Sequence, residues 1–227
     1  MSEFMKRIEK LEGGLLSSFP EGDHSLLEDF LSTLKNKVSI DDNIRNCQSC
    51  SLSETCLNKV ISTGNLSADI MMIGEAPGRN EDEQGEPFVG KGGDVLDKAI
   101  EAIGWKRSDL YITNTIKCRP PNNRNPLRQE LVSCYAHLSN EINFVNPKVI
   151  ICVGSTAAKM IIHPDFKITK EQGVWFDQDN RKVIAIYHPS YLLRIEESKK
   201  QIHQAKWDVF NALKKVDEYL KSDLILN

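Results

Sequence analysis

The chain has 227 residues, of which 40% are hydrophobic and 27% charged, enough to bury one substantial core and too balanced for a fibrous or disordered protein. Its net charge of −3 does not announce a nucleic-acid binder, and no apolar run approaches the roughly 18 residues of a membrane span. The charged start Met1-Ser-Glu-Phe-Met-Lys-Arg-Ile-Glu-Lys10 does not read as a secretory signal, so a cytoplasmic protein is expected.

Residues 1–40 read as a helical extension. Ser25-Leu-Leu-Glu28 is a capping-box pattern, and Leu26, Leu27, Phe30, Leu31 and Leu34 mark one helical face. Residues 1–42 carry nine acids and five bases, which leaves the rest of the chain close to +1. The extension carries no chemistry of its own and suits packing on the domain or on a repair or replication partner.

From residue 41 to 227 strand and helix signals alternate. Strands are predicted near 69–74, 110–116, 148–153 and 182–187, and helices near 92–104, 126–144, 155–162 and 196–220. Asp69-Ile-Met-Met-Ile73 is apolar without alternation, as expected of a strand covered on both faces. The pattern predicts one α/β domain around a mainly parallel four-stranded sheet. Ile202, Ala205, Val209, Phe210, Leu213, Val216 and Leu220 give the last helix a face to lay on that sheet.

Polar residues collect where the strands end. Glu75 follows the first strand in the loop Gly74-Glu-Ala-Pro-Gly78, which continues to Glu81 and then to Pro87-Phe88-Val89-Gly90. Asn114 ends the second strand, Gly154-Ser155 follow the third, and His188-Pro-Ser190 follow the fourth. Open α/β sheets keep their ligand crevices at this edge, so the four loops predict one pocket. The plain alternatives are a turn asparagine at 114, a core aromatic at Phe88, and a histidine at 188 that caps the turn before Pro189.

Between Thr113 and Gln129 there is no acid, while Lys117, Arg119, Arg124 and Arg128 occur among prolines and asparagines. Such a loop suits phosphates, or is a solvated surface. Six cysteines without a signal segment point to metal binding rather than disulfides. Cys47-x-x-Cys50 has ligand spacing, and Cys118 and Cys134 are separated by fifteen residues. Cys152, inside an apolar strand, reads as a small buried hydrophobe, and Cys56 is read the same way. Spacing alone leaves iron-sulphur and zinc both open.

With these residues in hand the chain resembles the family 4 uracil-DNA glycosylases, the iron-sulphur branch of their superfamily. The matching blocks are Gly74-Glu-Ala-Pro-Gly78, Pro87-Phe-Val-Gly90, Asn114-Thr-Ile-Lys-Cys-Arg-Pro-Pro-Asn-Asn-Arg124 and His188-Pro-Ser-Tyr-Leu-Leu-Arg194, in order, with the cysteines. The resemblance runs from about Cys47 to Arg194 and into the last helix. It implies a three-layer αβα sandwich and a monofunctional glycosylase that hydrolyses the N-glycosidic bond of uracil in DNA. It also implies a [4Fe-4S] cluster on Cys47, Cys50, Cys118 and Cys134, uracil-containing DNA as partner, and a monomer away from membranes.

Carried over residue by residue, the resemblance makes Asn114 the reader of the uracil edge, Phe88 the stacking ring and His188 the hydrogen-bond donor to the base, with Gly74 and Ala76 in the same loop. Ala76 stands where related families place an aspartate, so Glu75 with Asn123 is the pair expected to hold the attacking water. Glu81 is expected where thymine's methyl group would lie. Arg119, Arg124, Ser190 and Arg194 are expected on DNA phosphates, and Leu192 or Leu193 as a wedge between bases. A covalent uracil-trapping relative is disfavoured, since no histidine lies between Thr113 and Gln129. A non-catalytic iron-sulphur DNA-binding module leaves Glu75, Asn114 and His188 without purpose, and a zinc nucleobase deaminase lacks its His-x-Glu.

Overall fold

The computed structural model describes residues 25–226, which divide into two compact units, one ending at Cys47 and one beginning at Gln48. Residues 1–24, and the side chains of Leu26, Leu27 and Phe30 on the expected apolar face, lie outside what is described. In the first unit helix α1 runs from Ser25 to Arg45 without a break, with a Lys37–Asp41 ion pair one turn apart. It closes on Cys47, whose amide donates to the Ile44 carbonyl at 3.1 Å.

The second unit is built on one six-stranded sheet in the order β1-β3-β2-β4-β6-β5. The strands are β1 (Thr63–Gly64), β2 (Ile70–Gly74), β3 (Tyr111–Asn114), β4 (Val149–Val153), β5 (Trp175–Gln178) and β6 (Arg181–Ile186). The four predicted strands are the central ones and are mutually parallel. The short edge strands β1 and β5 pair antiparallel to β3 and β6 and make the sheet mixed. Every residue of β2, β3 and β4 is buried, as unalternating apolar runs require when both faces are covered.

The covering helices fall on two sides. Met72, Ile112, Ile151 and Ile184 point to the face packed by α4 (Lys91–Ala102) and α9 (Lys199–Leu226), through Leu96, Ile100, Val209, Leu213 and Val216. Met71, Ile73, Ile150, Cys152 and Val183 point to the opposite face, packed by α5 (Arg128–Val145) and α6 (Ser155–Ile161) through Leu138, Val145, Ala157 and Ala158. Neighbouring strand residues thus feed opposite layers, the three-layer sandwich expected. Short helices α2 (Leu52–Thr55), α3 (Arg79–Gln84), α7 (Ile168–Glu171) and α8 (Pro189–Arg194) fill the connections. Parallel register sets Gly74 beside Asn114 and Val153 beside Ile186, so the loops carrying the expected site leave one edge together.

Candidate active site

A cleft of about 540 Å3 opens at this edge. Glu75, Ala76 and Glu81 come to it from the loop after β2, Phe88 from the turn before α4, and Asn114 from the end of β3. Asn123 and Arg124 come from the loop after it, and His188, Ser190 and Arg194 from the β6–α8 junction. Gly74 lies just behind, against Asn114 and Phe88. Residues scattered over more than a hundred positions of sequence therefore face one volume.

Two backbone features shape it. Gly154, at φ +102°, turns the chain from β4 into α6 and lets the His188 side chain pack against its α-carbon, where an added β-carbon would meet His188 Cβ at 3.0 Å. Phe88 itself adopts φ +55°, which directs its ring under the cleft at 6.1 Å from the His188 ring centroid. That unusual conformation is held by Arg107, a residue with no motif to advertise it. Its guanidinium donates to the Phe88 carbonyl at 3.1 Å and to that of Pro87, and pairs with Asp97 at 2.9 Å.

His188 combines two roles that the sequence sets in competition. Its Nδ1 caps α8, accepting from the Ser190 amide at 3.2 Å with the Ser190 hydroxyl at 2.8 Å. An accepting Nδ1 puts the ring proton on Nε2, the nitrogen left for the cleft. Burial, then the neighbouring Arg194 cation, push the imidazole down to about 4 against a smaller opposing pull from Glu81. At neutral pH it is a neutral Nε2–H donor.

Glu81 is a brace as well as a wall. Its Oε1 accepts from the amides of Val89 (3.0 Å) and Gly90 (2.9 Å), and its Oε2 from the amide of Gly78 (3.0 Å). One carboxylate thereby ties the two glycine loops together, with charge-assisted bonds on both oxygens. Glu75 is held at its main chain by the Thr115 hydroxyl and at its carboxylate by the Thr156 hydroxyl. Asn114 is 3% exposed, and its main-chain carbonyl accepts from the buried Lys117 ammonium at 3.0 Å.

The basic loop is less free than its sequence suggests. Arg124 makes a two-pronged contact with Glu130 at 2.9 and 2.5 Å, and Arg119 donates to Asn123 Oδ1 at 2.7 Å and stands 4.0 Å from Asp82. The Arg124 guanidinium holds the Glu130 carboxyl below the usual carboxylate range. Both acids lie outside the acid-free window, so counting within it overstated the local charge. Left-handed backbone at Asn122 and Asn123 turns the loop where it brings Asn123, Arg124 and Asn125 to the cleft wall. Of the two candidate wedge leucines, Leu192 is 5% exposed in the main core and Leu193 is half-buried, and both border a surface groove.

Beside the cleft lies a small pocket of packed apolar side chains. Cys118, Leu52 and Ile116 are buried there, with Cys50, Cys56, Cys134, Leu131 and Ala76 packed against them. Burial, then the neighbouring Cys56 thiol, push the Cys118 thiol up. Soft thiolates in an apolar pocket are the donor set of an iron-sulphur or zinc site. Cys47 lies at the end of the first unit. Among the described residues no three Cys, His, Asp or Glu side chains are gathered as a ready metal-ion site. Ala76 touches both: it lines the cleft and packs on the cysteine cluster, where a small apolar side chain fits. Cys152 is fully buried in β4, as expected.

The sequence profile of the uracil DNA glycosylase superfamily matches residues 61–214. The chain is 42% identical over 166 residues to the Type-4 uracil-DNA glycosylase of Archaeoglobus fulgidus, covering 68% of this chain and 83% of that protein. It is 40% identical over 157 residues to that of Thermotoga maritima, covering 68% and 82%. With that of Saccharolobus solfataricus it shares 47% identity over 122 residues, 53% of this chain and 56% of the other.

Proposed function

The chain belongs to the uracil DNA glycosylase superfamily, and on that premise we propose that its cleft hydrolyses the N-glycosidic bond of a uracil flipped out of DNA, the opening step of base excision repair. Breaking that bond builds negative charge on the departing base and positive charge on the sugar. A pocket for it needs fixed donors at the uracil oxygens, a flat surface under the ring, and a held water on the sugar side.

The observation that carries this reading is the convergence of Asn114, His188 and Phe88 on one cleft, the first two from the ends of β3 and β6 and the third from the turn before α4. His188 Nε2–H is the neutral donor to the carbonyl oxygen on which charge develops; such a donor is worth about 10² to 10³ in rate. The Asn114 amide donates to one uracil carbonyl and accepts from the ring N–H, a pairing that the amino group of cytosine disrupts. Stacking on Phe88 offsets part of the cost of extrusion, about 1 to 3 kcal/mol. Glu75 and Asn123 hold the water. Arg119 occupies the Asn123 oxygen, so the amide nitrogen is the part that reaches a water or the sugar. The glycine-loop amides and Glu81 border the base and leave little space for a methyl substituent.

Phosphate contacts fall to Arg119, Arg124, Ser190 and Arg194 around the rim, with Leu193 as the more accessible wedge. Cys50, Cys118 and Cys134, with Cys47, would hold a [4Fe-4S] cluster, supported by the apolar cysteine pocket and by the Type-4 relatives. Such a cluster supplies a structural tie rather than a reacting group, fastening the loop that carries Arg119 and Asn123. The reading fits a monomer acting on cytoplasmic DNA, with a repair or replication partner met through residues 1–40. No described helix is long and apolar enough to cross a membrane.

The test is incubation with uracil-containing single- and double-stranded oligonucleotides, followed by alkali. Scission at the uracil position is expected. A heat-stable protein–DNA adduct would make the chain a trapping relative, and binding without scission a DNA-binding module.

A further inference from the structure

Glu75 is the only carboxylate of the cleft held through a side-chain hydroxyl from a different layer of the sandwich among the described contacts. Thr156 lies in the first turn of α6, between Gly154, whose φ of +102° makes the turn out of β4, and Ala157 and Ala158, which bury the helix against the sheet. Its hydroxyl donates to Glu75 Oε2. On the other side Thr115, fully buried after β3, donates its hydroxyl to the Glu75 carbonyl and its amide to the Gly74 carbonyl at 2.9 Å. Two threonines from the ends of two different strands thus fix Glu75 at both its main chain and its carboxylate. Thr156 itself does not line the cleft.

Resting on the reading of Glu75 as a water-holding group, we propose that Thr156 is a positioning residue for glycosidic hydrolysis. A threonine hydroxyl can only donate to a carboxylate, so it occupies Oε2 and leaves Oε1 to receive the hydrogen bond of the water. A free glutamate side chain has three rotatable bonds and would sample several orientations of that oxygen. With Cα fixed through Thr115 and Oε2 fixed through Thr156, the remaining rotations are coupled and the water is presented in one place. Because Thr156 touches neither base nor sugar, its contribution falls on the chemical step and not on DNA binding.

The test compares T156V, which keeps the shape and removes the hydroxyl, with T156S, which keeps the hydroxyl, on a uracil oligonucleotide at saturation and below it. T156V is expected to lower kcat by about 10- to 100-fold with KM within about twofold. T156S should recover most of the rate, and T156A against T156S gives the same comparison if T156V folds poorly. In the E75Q background, T156V should slow the enzyme by no more than about twofold further, since both changes disable one unit. A T156V kcat at the wild-type level, a rise in KM as large as the fall in kcat, or the same further loss in the E75Q background each overturns the inference. E75Q turning over at the wild-type rate would instead remove the water-holding role of Glu75, and the inference with it.

Discussion

Gly74 and Asn114 stand side by side at the carboxyl ends of two parallel strands, and the missing side chain of the first makes room for the amide of the second. A β-carbon on Gly74 would lie 2.3 Å from Asn114 Oδ1 and 2.5 Å from Phe88 Cζ. Both neighbours are groups assigned to hold uracil. The G74A variant is therefore expected to displace the amide and the ring together and to lower kcat/KM for uracil excision by roughly 10²-fold. Overpacking should cost about 1 to 3 kcal/mol in stability. Excision rates and thermal unfolding of the variant check both; wild-type excision would mean that Asn114 does not read the base from this position.

His188 makes stability depend on pH in a predictable direction. The unfolded-state imidazole titrates near 6.5, whereas burial and Arg194 hold the folded one near 4. Above about pH 6.5 both states carry a neutral ring and the contribution is flat. As the pH falls from 6.5 towards 4 the unfolded chain takes up a proton that the folded protein refuses, and stability drops, in total on the order of 3 kcal/mol. Urea unfolding at pH 7 and pH 5 should show about 2 kcal/mol of this loss in the wild type and a smaller one in H188Q. An equal loss in both would place the titrating group elsewhere.

How much of this was legible in the sequence follows from how each residue is held. The four central strands announce themselves because burial on both faces demands unbroken apolar runs such as Val149-Ile-Ile-Cys-Val153. The edge strand β5 does not, since Trp175-Phe-Asp-Gln178 is half exposed and mixes polar with aromatic residues. The turn that joins it to β6 did leave a signal: Asp179 and Asn180 both adopt positive φ, at 48° and 64°, the conformation of a tight hairpin that Asp and Asn tolerate. The cleft residues were legible because polar groups at strand ends share an edge. Their supports were not. Arg107, Thr156 and Glu130 act through hydrogen bonds to residues distant in sequence or just outside a motif, and no local pattern marks them. Leu192 and Leu193 could not be told apart, since the spacing of a short helix cannot say which of two adjacent leucines faces the core; Leu192 is the buried one.

The cysteine pocket yields a prediction in which chemical composition separates the possible metals. Anaerobically purified protein is expected to be coloured, with a broad visible absorbance and iron and acid-labile sulphide in equal amounts. C118S, at the buried centre of the pocket, should lose most of both and unfold more readily. C152A, in the sheet and away from the pocket, should keep its iron. Stoichiometric zinc without iron or sulphide in the wild type would replace the cluster by a zinc site.

Beneath Asn114 lies an ion pair whose removal has two separable consequences. Lys117 and Glu141 have side-chain exposures of 2% and 0% and are joined directly. Lys117 also donates to Thr113 Oγ1 at 2.6 Å and to the Asn114 carbonyl at 3.0 Å, while Glu141 accepts from Thr113 at 3.1 Å and Tyr111 at 3.3 Å. K117M leaves a buried carboxylate without its cation and is expected to cost about 3 to 5 kcal/mol. K117M/E141L removes both charges, so it should regain much of that stability, short of the wild type because the Thr113 and Tyr111 hydroxyls lose their acceptor. The Asn114 carbonyl stays without its lysine in both variants. If that bond steadies the uracil-reading residue, the double variant will be well folded in urea titrations yet slower on uracil DNA than the wild type. Wild-type excision by a stable double variant would confine Lys117 to a purely structural role.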